Sequence, residues 1–293
     1  MTTAISVSKI LLPVEFSDRC LGAARCAEFL ACHFHAEMVV LHVVTPPYVA
    51  YGEVNAYPPA AEFYTERWEQ SRAELDAFLR DAPPGLKLHR TLLDGDPARQ
   101  IVDYAHNGRF DLIVMPTHGY GPLRRFLQGS VTVKVLHDAE CPVWTGPHLE
   151  QAPDWNGFAV RRVACALDLG PQSAAVLEWA AAAAREFAAG LVILHALPAS
   201  TVSAGGFSFD PEWRLLMERD ARRRIARLQA DLDTGGEVYI EVGDAPAAIR
   251  DAARYHNADL LVIGRSQAAG VLGRLRADAY SILREAPCPV VSI

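Results

Sequence analysis

No Cys-x-x-Cys pair occurs in this sequence, and its ten histidines are scattered without ligand spacing, so neither a thiol redox motif nor a metal site is indicated. Cys20, Cys26 and Cys32 recur every six residues along one helical segment, a spacing that does not gather them on one face. Cys141 and Cys288 open two matching Cys-Pro-Val triplets and read as small buried thiols. Acidic residues outnumber basic ones, 35 to 28. At a net charge of -7 the chain lacks the clustered basic surface that a phosphate backbone requires, so no nucleic-acid partner is expected. The run Arg222-Arg223-Arg224 lies beside Glu218 and Asp220 in a helical pattern and reads as a solvated, salt-bridged face. No apolar stretch reaches the roughly 18 to 20 uncharged residues of a membrane span, and no basic segment leading into an apolar one opens the chain. A cytoplasmic protein without a membrane partner is the expectation. There is no G-x-x-x-x-G-K-[ST] lysine and no evident set of carboxylates for Mg²⁺, which ranks phosphoryl-transfer chemistry low.

What is present is one pattern written twice. KILLPVEFS at 9–17 matches RVACALDLG at 162–170, and VVLHVV at 39–44 matches VILHAL at 192–197. LLDGDPARQIVDYAHNGRFDLIVMP, ending at Pro116, matches EVGDAPAAIRDAARYHNADLLVIG, ending at Gly264, and ECPV at 140–143 matches PCPV at 287–290. The blocks keep their order, which makes the chain a duplicated unit of about 145 residues, an ordinary domain size. The apolar share of 51% is ample for two cores. Gly146 to Val160 has the Pro, Gly and Asn content of a linker. The expected domains are 1–150 and 158–293, with the boundary near residue 155.

Within the first unit, strands and helices alternate. Ile10 to Val14 is a strand; Ser17 or Asp18 caps a helix burying Leu21, Ala24, Ala27, Leu30 and Phe34. Met38 to Val44 is a second strand, and Tyr64, Trp68, Leu75 and Leu79 form the core stripe of a second helix. Leu86, Leu88, Arg90 and Leu92 alternate as a third strand; Asp96-Pro97 opens a third helix. The β-branched run Leu112 to Met115 suits a strand buried on both faces. A fifth strand begins at Pro142-Val143-Trp144. The second unit repeats the series, and such alternation predicts α/β domains with doubly wound parallel sheets.

The stretch from 111 to 143 carries the chemistry. After the strand comes a loop with Gly119, Gly121 and Pro122 that ends in Gly129-Ser130, just before the amphipathic segment from Val131 to His137. Uncovered N–H groups at that helix start, with the positive end of the helix dipole, make an anion site. A phosphate is the expected ligand. The spacing from Pro116 is P-x2-G-x9-G-S, and it resembles the G-x2-G-x9-G-[S/T] of the universal stress proteins, with only the first glycine changed.

That resemblance covers nearly the whole chain, twice. It implies two tandem five-stranded Rossmann-like domains of the adenine-nucleotide alpha hydrolase-like type, with strand order 3-2-1-4-5 and a ligand crevice where the order reverses between strands one and four. It further implies a stress-response role, ATP or a related adenine nucleotide as ligand, and Mg²⁺ only as a companion of that nucleotide. The implied nucleotide-binding positions are Glu15, Val43, Thr117, Gly119, Gly129 and Ser130. Glu15 would accept from ribose hydroxyls, Val43 would contact adenine through its backbone, and Gly129-Ser130 would hold phosphate. The corresponding second positions are Asp168, Ala196, Gly264, Gln267, Ala277 and Asp278.

Departures from the pattern fall on function. Glu15 is one methylene longer than the family's aspartate, and Pro116 removes a backbone donor. In the second unit Gln267 stands where a glycine would be, and Ala277-Asp278 replaces Gly-Ser; Asp278 is expected to cap the free N–H groups itself and repel phosphate. The second site thus reads as degenerate. His118 reads as a loop residue, and no catalytic group is indicated. Glycines and a serine before a helix also serve as a plain turn and cap, as Glu15 and Asp168 do when they cap the following helix. Three functions stay open: a nucleotide-dependent regulator; a nucleotide-free interaction module built as an internal pseudo-dimer, with a homodimer of the whole chain as an extension; and, ranked last, a slow ATPase.

Overall fold

The structure, a computed structural model, describes residues 5–46, 59–117, 130–146, 159–198, 211–265 and 277–293. Two compact units part between Asn156 and Gly157. The first runs β1 (Lys9–Pro13), α1 (Asp18–Phe34), β2 (Glu37–Val44), α2 (Pro59–Ala77), β3 (Leu88–Asp94), α3 (Pro97–Asn107), β4 (Leu112–Val114), α4 (Ser130–Asp138) and β5 (Val143–Thr145). Its strands lie in the order β3-β2-β1-β4-β5, all parallel, with Ile10 opposite both Met38 and Leu112. Ile10, Leu11 and Leu12 are completely buried, as a central strand covered on both faces must be.

The second unit runs β6 (Arg162–Ala166), α5 (Ser173–Glu186), β7 (Gly190–Leu197), α6 (Pro211–Asp231), β8 (Glu237–Val242), α7 (Ala245–Tyr255), β9 (Leu260–Ile263), α8 (Ala277–Glu285) and β10 (Val290–Ser292). Here the order is β8-β7-β6-β9-β10, again parallel. Each unit therefore has the doubly wound 3-2-1-4-5 arrangement. The repetition reaches individual backbone angles: Phe16 and Leu169, at matching positions after the first strand of each unit, have φ of 62° and 58°.

Matching side chains fasten the two units in the same way. The Asp111 Oδ2, just before β4, accepts from the Ser8 amide (2.8 Å), the Ser8 hydroxyl (2.7 Å) and the Lys9 amide (2.9 Å). Asp259, just before β9, accepts from the amides of Arg161 (2.8 Å) and Arg162 (2.9 Å). In each unit one carboxylate ties the start of the first strand to that of the fourth. Asp96 caps α3 by accepting from the Arg99 amide at 3.0 Å, and Asp244 caps α7 from Ala247 at 3.3 Å. Asp96→Ala is expected to cost about 1 kcal/mol, the usual worth of such a cap. A urea-unfolding comparison with the parent checks it, and an unchanged midpoint would count against the capping role.

Helix edges depart from the periodic pattern. Leu21 is 44% exposed, because it sits at the margin of the α1 face and not on its centre line. Leu79 lies beyond the end of α2 with φ 54°, so the stripe stops at Leu75, which is buried. Tyr64 and Trp68 are half-buried and meet each other with ring centroids 6.4 Å apart, at the periphery of the core. Leu86 lies outside β3, which begins at Leu88. The cysteines are all free: Cys20, Cys26, Cys165 and Cys288 are buried, Cys141 is half-buried and Cys32 is exposed.

Candidate functional site

The reversal of strand order in the first unit lies between β1 and β4, where connections leave toward opposite faces of the sheet and open a crevice at the strands' carboxyl ends. Glu15 stands two residues past β1. Its Oε1 accepts from the Ser17 hydroxyl at 3.0 Å, and its amide donates to the Cys20 Sγ at 3.4 Å. Ser17 holds the N-cap position of α1 but makes no capping hydrogen bond, since its hydroxyl is turned to Glu15 and Cys20 instead. Val43 is in β2 near its carboxyl end, and Thr117, just past β4, is completely buried. The first turn of α4 is pinned to the end of β4, because the buried Thr132 hydroxyl donates to the Pro116 carbonyl at 3.2 Å. Ser130 is the first residue of α4. Gly119 and Gly129 lie outside the described residues, as does His118.

His42, one position before Val43, donates from Nδ1 to the Val14 carbonyl at 2.7 Å and so joins β2 to the end of β1. The Phe16 ring lies 4.4 Å from it, centroid to centroid. Burial pushes the His42 pKa down, which leaves the ring neutral at pH 7.

The second unit builds the same corner with different contents. His195 donates from Nδ1 to the Leu167 carbonyl at 2.7 Å, as its counterpart does. The Asp168 Oδ1 accepts from the Gly170 amide (2.8 Å) and the Ser173 hydroxyl (3.1 Å), so this carboxylate holds the start of α5. At the carboxyl ends of β6, β7 and β9 lies a cavity of about 180 Å³. Asp168, Ala196, Gly264 and Asp278 all line it, so four of the six expected second-unit positions come together there. Ala277 begins α8, and Gln267 lies outside the described residues. Gly264 packs closely: a Cβ there would stand 3.1 Å from the Val176 Cγ2, so that methyl would have to shift slightly. Asp278 sits in the first turn of α8, yet its carboxylate makes no hydrogen bond to a described residue, so the expected self-capping is not seen among them.

His195, Gln172 and Ser173 also line the cavity and were not among the positions anticipated. The signal for His195 was in plain sight, since a histidine stands at the same place in VVLHVV and VILHAL. Among the described residues no group of three or more His, Cys, Asp or Glu is arranged to hold a metal ion, and no helix is long and apolar enough to cross a membrane.

Comparison with known proteins agrees with this geometry. The model of the universal stress protein family matches residues 6–145 and again residues 159–293. A universal stress protein of Methanocaldococcus jannaschii is 35% identical over 136 residues, which are 46% of this chain and 79% of that protein. One from Thermus aquaticus is 36% identical over 134 residues, 46% of this chain and 94% of its own length. Among solved structures, a universal stress protein from Archaeoglobus fulgidus superposes with a TM-score of 0.65 at 22% identity, covering 97% of this chain and 95% of that one. A chain described as a universal stress protein from Pseudomonas aeruginosa gives 0.64 at 19% identity, covering 98% and 93%. At such identities the superpositions speak for the fold alone.

Proposed function

The chain belongs to the universal stress protein family, and from that premise we propose that it binds ATP or a related adenine nucleotide in its first unit and works as a nucleotide-dependent regulator in the stress response. One observation supports placing the phosphates there: the hydroxyl of Thr132 fixes the first turn of α4 to the end of β4, so the start of that helix is held at the strand-order reversal. A nine-residue helix whose first turn carries no acidic side chain offers its N–H groups and positive dipole end to an anion. In α8 the same turn carries Asp278. Glu15, Val43, Thr117, Gly119, Gly129 and Ser130 are the proposed nucleotide positions, and Mg²⁺ would enter with the nucleotide. The role is binding and regulation in the cytoplasm, without turnover.

The test is titration calorimetry with ATP on the full chain and on Ser130→Asp. We expect at most one nucleotide per chain and an affinity about tenfold lower in the variant, from an opposed helix terminus and a lost hydroxyl donor. Two nucleotides per chain, or unchanged affinity, would refute the assignment. Part of the same proposal is that the units act as an internal pseudo-dimer, the whole chain also being able to form a homodimer. Separately expressed halves that remain monomeric in sedimentation would argue against it.

A further inference from the structure

The carboxylate that follows the first strand is handled differently in the two units. In the second, the Asp168 Oδ1 is drawn into the start of α5 by the Gly170 amide at 2.8 Å and the Ser173 hydroxyl at 3.1 Å. The block 9–17 aligns with 162–170, so Ser17 stands where the second unit has Gly170, and Cys20 where it has Ser173. Serine at 17 adds a hydroxyl beside the carboxylate. Cysteine at 20 takes one away and leaves a sulfur that accepts from the Glu15 amide at 3.4 Å. The hydroxyl serving the carboxylate has thus moved from the first turn of the helix to its N-cap, where it donates to the Glu15 Oε1 at 3.0 Å.

That bond is made in place of another. Ser17 has the extended backbone of an N-cap, φ -78° and ψ 161°, and a serine there ordinarily accepts from an amide in the first turn. Its side chain makes no such bond. The residue is only 7% exposed, so its hydroxyl needs a partner within the protein. A hydroxyl has one proton to give, and the Cys20 Sγ at 3.7 Å is a longer contact to a weaker acceptor. Glu15 therefore takes the proton. Holding matters more for a glutamate than for the aspartate of the second unit, because the extra torsion gives its carboxylate more orientations to lose when a ligand binds. Fixing it beforehand removes part of that loss.

We infer that Ser17 is a positioning residue of the first-unit site: its hydroxyl sets the Glu15 carboxylate for the vicinal hydroxyls of a ribose, so that the site takes ribonucleotides in preference to nucleotides whose sugar lacks both hydroxyls. The inference rests on the nucleotide reading above and narrows its ligand class. Ser17 acts through Glu15.

Calorimetric titration of the full chain with ATP and with 2′,3′-dideoxy-ATP tests this. The parent is expected to bind ATP about tenfold more tightly, as hydrogen bonds from hydroxyls to a carboxylate supply. Ser17→Ala should weaken ATP about fivefold, the worth of one such bond, and leave the dideoxy nucleotide unchanged. Ser17→Thr keeps the hydroxyl and should restore most of the preference. In a Glu15→Ala background, Ser17→Ala should change ATP affinity by less than about twofold, as when one residue works only through the other. A Ser17→Ala chain that loses both nucleotides equally, or that loses ATP affinity just as much without Glu15, would make Ser17 merely structural and overturn the inference. So would an undiminished preference for ATP in Ser17→Ala, with nucleotide binding itself left standing. If the parent bound neither nucleotide, the nucleotide reading would fall and this inference with it.

Discussion

Asp111→Ala is expected to lower the stability of the first unit by about 3 kcal/mol, the upper end of what most single substitutions cost. The carboxylate receives two backbone amides and a hydroxyl at 2.7–2.9 Å. Bonds to a charged acceptor contribute roughly 1.5–3 kcal/mol each when shielded, and water replaces part of that at this half-buried position. Alanine leaves three donors at the start of β1 to find solvent, and it frees the edge of the central strand from its β4 neighbour. The melting temperature of that unit should fall by about 10 °C, since 1 kcal/mol corresponds to a few degrees for a domain of this size. Asp111→Asn, which keeps one acceptor but no charge, should lose about half as much. A variant as stable as the parent in calorimetry would show the clamp to be decoration.

Thiol chemistry should separate the cysteines even more widely. Burial pushes the Cys288 thiol up to about 12, with the Asp259 charge adding to it, and burial raises Cys26 and Cys165 strongly as well. At pH 8 about one Cys288 side chain in 10⁴ would be thiolate, the reactive form. Iodoacetamide on the folded chain is therefore expected to modify Cys32 and Cys141, and to reach the four buried thiols only after urea is added. Mass spectrometry of the alkylated protein reads the count, and rapid labelling of Cys165 in the native state would contradict its packing.

The same shifts set a direction for stability with pH. A thiol whose folded pKa lies above its unfolded value stays protonated in the folded chain while the unfolded chain ionises. Its contribution is intact below the unfolded value near 9 and is lost as pH rises from there toward 12. Alkaline destabilisation beginning above pH 9, by about 1.4 kcal/mol per pH unit for Cys288, is the expected signature in urea midpoints.

Much of the architecture was written in the sequence because duplication supplies its own control. A lone apolar run such as Leu112 to Val114 fits a strand or a buried helix turn, but its recurrence as Leu260 to Ile263 behind the same D-P or D-A-P helix start removes the ambiguity. Helix margins were less legible. Leu21 and Leu79 satisfy the period and yet lie outside the buried stripe, since periodicity gives the angle of a residue about the axis and not where the neighbouring element ends. At the site, spacing identified Asp168, Ala196, Gly264 and Asp278 but not the space among them. That space depends on residues at different elements: Ala196 on β7, Gly264 beyond β9 and Leu167 beyond β6 must all be placed before a volume exists. Asp278 illustrates the same point, because its sequence position suits a cap while its place in the first turn of α8 also puts it on the cavity lining.

The Asp111 clamp also has a consequence for how the chain is made. It joins Asp111 to Ser8 across 103 positions, and β1, made before the other strands of its unit, has β4 as one of its two sheet neighbours. Through most of the synthesis of a unit, the nascent chain holds an apolar strand one of whose two partners has not been translated. At about 5–20 residues per second that interval lasts roughly 5–20 s. The same wait recurs in the second unit, where Asp259 closes on Arg161 across 98 positions. Loop closure on this scale must precede the contacts that reward it, which slows both units relative to folds built from local contacts. Ile10, Leu11 and Leu12 thus wait through that window with one flank of their strand still unpaired.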